Sequence, residues 1–182
     1  MKGTDRINID VFKTVTRAIA ESDNLGLMAN HLTQLLAGAL AIKGCTIFAL
    51  NPESRELEIL ASFGLSLAYL NKGPIYLDES LEHLGEGKPV LFGDVTSGEA
   101  LQYPEQAATE GIRAMITVPV NFCGEFIGAL RLYHHKTWEI SDADLDSLLL
   151  LAETVGLAMT YTRLLNAVQG VREALGELPP GV

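Results

Sequence analysis

A long segment dense in apolar residues lies between Gly111 and His135, with the sequence GIRAMITVPVNFCGEFIGALRLYHH. On both sides of Cys123-Gly124 the apolar residues follow one another instead of alternating with polar ones. Two such runs, rich in β-branched and aromatic residues and joined by a short turn with glycine, are typical of a β-hairpin. Strands without alternation are buried on both faces. The pattern therefore predicts that this hairpin is the centre of a sheet covered on both sides.

Two amphipathic helices are predicted ahead of the sheet. Residues 5–22 carry apolar side chains at helical spacing, including Phe12, and residues 25–41 carry a broad apolar face. Between them, Ser22-Asp23-Asn24 ends the first helix and offers an N-cap for the second. The chain is therefore expected to begin with two consecutive helices.

The period then changes from helical to strand-like. Residues 45–50 and 57–63 are predicted strands, and the Asn-Pro-Glu-Ser-Arg stretch at 51–55 has the composition of the turn that joins them. From 64 to 110, glycines and prolines interrupt any regular pattern, and long connections of this kind are either functional or loose. Within this connection we expect short helices at 79–86 and 103–110 and one short strand at 89–92.

A final helix is predicted from the capping box Ser141-Asp-Ala-Asp144 onward. Its first apolar stripe begins at Leu145 and suits packing on the sheet. A second stripe, on nearly the opposite face, has alternating spacings of four and three, which is typical of a helix that packs on a partner helix. That partner is either a second copy of the chain or the first helix of the same chain. The second stripe, here called the distal seam, comprises Leu157, Tyr161, Leu164, Val168 and Val171, and continues to Leu175 and Leu178.

These elements predict an α+β fold with a central antiparallel sheet of five or six strands. Helices from both ends of the chain would cover one face, and the irregular residues 64–110 would cover the other. Loops over a sheet seldom fill the space beneath them with side chains, so a pocket is expected there. We assign residues 1–165 to a single domain and residues 166–182 to an extension of the last helix with a short tail.

The charge of the chain argues against two classes of partner. Its 23 acidic and 13 basic residues give a net charge of −10. Nucleic acids and anionic membranes are bound largely through Lys and Arg, so neither is expected as a partner. The N-terminal residues lack the apolar core of a secretory signal, and no uninterrupted apolar run is long enough to span a bilayer. A cytoplasmic location is the expectation.

Motifs for catalysis are sparse. The chain has no Gly-x-Ser-x-Gly sequence and no complete phosphate-binding loop, and its four histidines lack the spacing of metal ligands. Cys45 and Cys123 cannot form a zinc site alone and are expected to be free thiols. No enzymatic activity and no metal are therefore predicted.

Arg131 is the most informative polar residue, because it interrupts the second strand of the central hairpin between Leu130 and Leu132. A charge in that position is costly unless it is paired. Its partner is either Asp94 or a nearby glutamate, or an anionic or carbonyl group of a ligand. Together with it, the residues that the sheet and its irregular cover are expected to present to a ligand are Tyr69, Tyr76, Phe92, Asp94, Tyr103, Arg113, Thr117 and Tyr133.

The order of these elements, and several short motifs, resemble a GAF domain, the small-molecule sensing module of many signalling proteins. The resemblance extends from Phe12 to about Leu165 and implies a profilin-like sheet. Its motifs are Gly111-Ile112-Arg113, Thr117-Val118-Pro119-Val120, Gly124-Glu125-Phe126-Ile127-Gly128-Ala129-Leu130 and the helix entry at 140–145.

The resemblance does not select a ligand. Cyclic-nucleotide-binding members carry Asn-Lys and then Phe-x-x-x-Asp-Glu, where this chain has His135-Lys136 and a segment from Ile140 to Leu145. Bilin-binding members attach the pigment to a pocket cysteine, and free methionine sulfoxide reductases of this fold need several cysteines. Neither Cys45 nor Cys123 suits these roles, so the cofactor is left unassigned.

The resemblance implies a regulatory domain in signal transduction that binds a small molecule beneath residues 64–110. We expect it to form a homodimer through Phe12 and the distal seam, and to act on a signalling protein partner. A ligand-free dimerisation or scaffold module is the first alternative, and a GAF-fold enzyme such as a methionine sulfoxide reductase is the second.

Overall fold

A computed structural model gives the structure of this chain and describes residues 7, 9–21, 24–77, 81–96 and 101–176. The described residues form a three-layer α+β fold, with helices on one face of an antiparallel sheet and loops with short helices on the other. The predicted fold class is thereby confirmed. The sheet has five strands in the order β2-β1-β5-β4-β3.

The element bounds follow the predicted pattern closely. The helices are α1 (Ile9–Ala20), α2 (Leu25–Ala39), α3 (Leu67–Leu70), α4 (Glu82–Gly85), α5 (Pro104–Thr109) and α6 (Asp142–Gly176). The strands are β1 (Gly44–Leu50), β2 (Leu57–Phe63), β3 (Val90–Phe92), β4 (Ala114–Phe122) and β5 (Glu125–His134).

Two differences have local physical causes. Helix α2 ends at Ala39 because Ala41 adopts a left-handed conformation (φ 51°), and the amide of Ile42 then bonds back to the carbonyl of Ala37 at 3.1 Å. Helix α3, which was not predicted, is a single turn capped by the Ser66 side chain, too short to leave a periodic pattern. Residues 79 and 80 of the predicted helix at 79–86 lie outside the described residues.

The central hairpin is the core of the sheet, as predicted. Strands β4 and β5 pair along their length, and nearly all their residues from Ala114 to Val120 and from Gly128 to His134 are buried. Cys123 (φ 51°) and Gly124 (φ 81°) form the two-residue turn, with the two positive φ angles that suit the twist of a hairpin.

One face of the sheet is covered by α1, α2 and α6. Leu130 and Leu132 of β5 and Ile116 of β4 point into this layer, where they join Leu32 of α2 and Leu148 of α6 in the main core.

Helix α6 approaches β4 closely, because a Cβ at Gly156 would lie 2.4 Å from the carbonyl oxygen of Asn121. Glycine at this position lets the helix backbone rest on the strand.

The start of α6 is held by two side chains of the predicted capping box. Ser141 Oγ accepts a hydrogen bond from the amide of Asp144 at 3.1 Å. The buried Asp144 carboxylate accepts one from the amide of Ile7 at 2.9 Å, which joins the N-terminal segment to the last helix.

We expect Ser141→Ala to lower the free energy of unfolding by about 1 kcal/mol, because the substitution removes the cap of an otherwise unsatisfied helical amide. Urea denaturation followed by circular dichroism measures the change. Ser141→Asp is the matched variant, since aspartate caps equally well and is favourable at a helix N-terminus. Equal loss in both variants would contradict the capping role.

The length of α6 has a second consequence. The segment Asp142–Ala174 is long and apolar enough, by length and composition, to cross a membrane, since an 18-residue window within it has a mean hydropathy of 1.4. Its first part packs in the main core through Leu148, Ala152 and Val155, and the core helix of a globular domain meets the same criteria. The finding is therefore weak evidence for a membrane span.

Candidate functional site

The second face of the sheet carries a short row of polar side chains across its three central strands. Arg131 of β5 pairs in register with Thr46 of β1 on one side and with Thr117 of β4 on the other. All three residues are buried. Because side chains alternate along a strand, this row points away from the main core, towards the irregular cover.

Arg131 is held in the row by a neutral neighbour. Its Nε donates a hydrogen bond to Thr117 Oγ1 at 2.8 Å, and its guanidinium carbon lies 5.5 Å from the centroid of the Phe48 ring. The side chain is only 5% exposed. None of the ion pairs formed by the described residues includes Arg131. Within the described part of the chain, therefore, no carboxylate forms an ion pair with this buried cation.

A second cation, Lys72, comes from the irregular cover and faces the same space. Its Nζ lies 4.1 Å from the centroid of the Tyr69 ring and 5.7 Å from that of Tyr103, and donates to the carbonyl of Tyr69 at 3.3 Å. Burial, together with the nearby Arg131 cation, lowers the pKa of Lys72 to about 8. Lys72 is thus still charged at neutral pH.

The two cations line one small cavity, here called the Arg131 cavity. Its volume is about 10 Å³, which is room for roughly one water molecule. In this conformation aromatic and aliphatic side chains of the cover fill most of the space above the sheet. The lining residues are Tyr69, Lys72, Ile75, Leu81, Phe92, Leu101, Gln102, Tyr103 and Arg131.

Side-chain hydrogen bonds join two segments of the cover over the cavity. The Gln102 side chain donates to the carbonyl of Tyr76 at 2.8 Å and accepts from its amide at 3.3 Å. The hydroxyl of Tyr103 donates to the carbonyl of Pro74 at 2.6 Å. The two segments of the cover therefore hold each other above Arg131.

The aromatic hydroxyls below the cover are held neutral. Burial raises the pKa of Tyr69 well above its usual range, and burial also raises the pKa of Tyr133, although Arg131 acts in the opposite direction on both. The two rings meet edge to face with centroids 5.9 Å apart. Tyr133 packs in the floor of the site and Tyr69 packs against it from the cover, and neither hydroxyl supplies negative charge to the cations.

The structure brings six of the nine residues predicted to contact a ligand to this site. Tyr69, Phe92, Tyr103 and Arg131 line the cavity. Thr117 and Tyr133 lie beside Arg131 in the buried floor.

The other three predicted residues lie elsewhere. Tyr76 is largely exposed, since its backbone forms an isolated β-bridge with Glu56 and the side chain turns outward. Asp94 and Arg113 pair with each other at 3.4 Å near the surface. The predicted pairing of Arg131 with Asp94 is therefore wrong, because the carboxylate is engaged by Arg113 and by the amide and hydroxyl of Thr96.

Two polar residues of the cavity, Lys72 and Gln102, were not predicted. Lys72 follows helix α3, whose single turn the sequence did not reveal, and Gln102 lies in an irregular segment. The signal that was available for Lys72 is the aromatic Tyr69 three residues earlier, a spacing that places both side chains on one face of a helical turn.

Neither cysteine of the chain lines this cavity. Cys45 is buried on the main-core face of β1, where burial raises its thiol pKa, and Cys123 is exposed in the β4–β5 turn. Within the described part of the chain, no cluster of histidine, cysteine and carboxylate side chains could hold a metal ion.

The distal seam is exposed along its described length. The exposed fractions of its side chains from Leu157 to Val171 lie between 57% and 61%. Helix α1 therefore does not cover the seam, although it was one of the two expected partners. Phe12 differs from the rest of the predicted interface, because it is half-buried against the main core. Leu178 and the side chain of Leu175 lie outside the described residues.

A family model described as GAF domain matches residues 22–160, which is more than half of the chain. None of the curated proteins matches the chain significantly.

Solved structures share the fold over most of their length. The GAF domain of a phosphoenolpyruvate-protein phosphotransferase from Coxiella burnetii has a TM-score of 0.75 and 18% identity, covering 87% of this chain and 96% of its own. A domain assigned to a two-component sensor histidine kinase of Sinorhizobium meliloti has a TM-score of 0.70 and 21% identity, covering 81% and 99%. The free methionine-R-sulfoxide reductase of Neisseria meningitidis, solved with its substrate, has a TM-score of 0.69 and 17% identity, covering 85% and 90%. At these identities the likeness shows the fold alone.

Proposed function

The chain belongs to the GAF domain family, and on that basis we propose that it is a non-catalytic sensory domain that binds a small molecule in the Arg131 cavity. The observation that carries the proposal is the buried Arg131, which sits 5% exposed beneath the cover without a carboxylate partner among the described residues. A buried charge without a counter-charge is costly for a folded protein, so its retention favours a binding role. The proposed setting is cytoplasmic signal transduction.

A reductase function is less well supported than a binding function. A methionine sulfoxide reductase shares the fold, but this chain has two cysteines and neither lines the cavity. Reduction of a sulfoxide by thiols needs a thiolate at the bound substrate and a second thiol to form the disulfide. The distance of both thiols from the cavity therefore supports a binding function.

A homodimer through the distal seam is the second part of the proposal. The side chains from Leu157 to Val171 alternate by four and three residues and are more than half exposed, so two copies can pack the same stripe against each other. Beyond Thr162 the described residues of α6 have no buried side chain. A short helical segment without tertiary support is marginal in water, and pairing with a copy would supply that support.

One observation favours a ligand-free scaffold as an alternative function. The cavity of about 10 Å³ is almost filled by its own side chains, and a domain that only holds two partner chains together needs no larger space. In that case the cover would remain closed and the distal seam alone would be functional.

Native mass spectrometry of the purified protein tests both parts together. We expect a dimer that carries a retained small molecule, or that takes one up from a metabolite extract. A dimer that takes up no molecule would favour the scaffold alternative. A monomer at micromolar concentration would overturn the dimer proposal, whatever the state of the cavity.

A further inference from the structure

Among the described residues, the charges around the cavity are unbalanced. Arg131 below and Lys72 above line the same small space, and the Arg131 cation contributes to the lowered pKa of Lys72. Their described neighbours at the cavity are neutral or aromatic, and include Thr117, Tyr69 and Tyr103. Two cations that converge in a site of low polarity repel each other unless negative charge lies between them.

The carboxylates that the structure describes around the cavity form no ion pair with Arg131 or Lys72. Glu110 influences Tyr69, but its carboxylate is bound by Lys43 at 3.2 Å and by the amide of Ser66 at 3.1 Å. Glu58 accepts a hydrogen bond from the Asn51 side chain at 2.8 Å. Among the described residues, therefore, no carboxylate forms an ion pair with either cation.

We propose that the ligand of the Arg131 cavity carries a carboxylate or another small oxyanion, which binds between Arg131 and Lys72. This inference rests on the proposed sensory function and adds the chemical class of the ligand. A guanidinium below and an ammonium above offer charge-assisted hydrogen bonds to an oxyanion, while Tyr69, Phe92 and Tyr103 offer apolar surface to the remainder of the molecule.

The size of the cavity sets a condition for binding. Its present volume of about 10 Å³ accepts roughly one oxygen atom, so the ligand has to displace part of the cover. The contacts that must yield are the hydrogen bonds of Gln102 with Tyr76 and of Tyr103 with Pro74. Anion binding is therefore expected to be coupled to movement of this cover.

Matched pairs of compounds test the charge requirement. Acetate, benzoate and succinate would each be titrated calorimetrically into the full chain at constant ionic strength, alongside acetamide, benzamide and succinamide, with sulfate and phosphate as inorganic probes. We expect at least one anion to bind saturably and its uncharged counterpart to bind at least about tenfold more weakly, because the amide loses the charge-assisted bonds.

Variants connect the binding to the two cations. Arg131→Met is expected to weaken the binding anion by about 100-fold and Lys72→Met by about tenfold. Lys88→Met removes the same charge from an exposed lysine that pairs with Glu86, and should change the affinity by less than about twofold. If Arg131→Met does not fold, Arg131→Lys and Lys72→Met still test whether the two cations bind the anion, since the half-buried Lys72 is easier to replace.

A pH series provides an independent check. Lys72 is faced by Tyr69, Tyr103 and Arg131 in the cavity, and shares the adjoining groove with Glu56 and Glu58. Since an anion favours the protonated amine, the affinity for benzoate or sulfate, both ionised throughout, should fall as the pH rises through about 8. The Lys72→Met variant should lack this step.

The possible failures are distinguishable. Equal binding of acids and amides, or anion binding that Lys88→Met weakens as much as Lys72→Met, would overturn the anion inference and leave the sensory function standing. A retained ligand that proves neutral or cationic would do the same. Absence of binding by every anion probe overturns the inference, and if no metabolite is taken up either, the sensory function fails with it.

Discussion

The double variant Leu164→Glu, Val168→Glu should be a folded monomer. In the proposed homodimer these two residues lie at adjacent positions of the distal seam, and each is more than half exposed in the single chain. Four glutamates would then be buried against one another across the two-fold axis, where desolvation and like-charge repulsion act together. We expect the dimer dissociation constant to rise by at least about 100-fold. Analytical ultracentrifugation across a concentration series measures it.

A second double variant separates a specific seam from a general charge effect. Asn166→Glu, Gln169→Glu adds the same charge to exposed positions on the opposite side of the same helical turns. This control should dimerise like the unmodified protein, within about twofold. Near-identical behaviour of the two double variants would contradict a dimer through the seam. Both double variants should stay folded, because neither pair contributes to the main core. The control should keep the circular dichroism and melting temperature of the unmodified protein, whereas the seam variant should lose part of the helix signal that pairing supports.

Replacing Gly128 by alanine should produce the largest loss of stability among single methyl additions in the sheet. Gly128 lies in β5 opposite Ala49 of β1, and a Cβ there would come within 2.2 Å of the carbonyl oxygen of Phe48. The carbonyl oxygen of Phe48 and the backbone of Gly128 cannot move apart easily, because both belong to paired central strands. We expect the free energy of unfolding to fall by about 3 kcal/mol, measured by urea denaturation of the purified protein at fixed concentration.

The same substitution at Gly38 should have the opposite sign. This residue lies on the exposed side of α2, and a Cβ there would meet no atom within 4 Å. Alanine has a higher helix propensity than glycine, so the free energy of unfolding should rise by about 0.5–1 kcal/mol. A stabilising or neutral Gly128→Ala would show that β1 and β5 can separate locally, and would contradict the tight register described above.

The helices and strands that could be predicted from the sequence are the long ones. The hairpin at β4 and β5, the pair β1 and β2, and the packed part of α6 each extend over many residues, so their periods and turns are unambiguous. The irregular cover was less predictable, because α3, α4 and β3 are only three or four residues long. Elements of one turn are determined by tertiary contacts and caps more than by periodicity.

The candidate site shows the same division between regular and irregular structure. Arg131 and Thr117 could be placed on one face of the sheet, since alternation along a strand fixes the direction of each side chain. No such rule applies to the irregular cover. For that reason Lys72 was not predicted to line the cavity, and Tyr76 was predicted to contact a ligand although its side chain is exposed. The pairing of Asp94 with Arg113 instead of Arg131 depends on the path of the loop between β3 and α5, which the sequence pattern does not specify.

Helix α6 also has a mechanical consequence. It runs for 35 residues from the sheet into the distal seam without interruption, and the part beyond residue 160 is about 25 Å long. That part extends beyond Gly156, where the helix backbone rests on β4 and about which the helix could pivot. A tilt of about 10° near Gly156 would carry the end of the helix, about 30 Å away, through about 5 Å, close to the rise of one helical turn. A small displacement of the sheet would thereby become a larger displacement at the end of the helix.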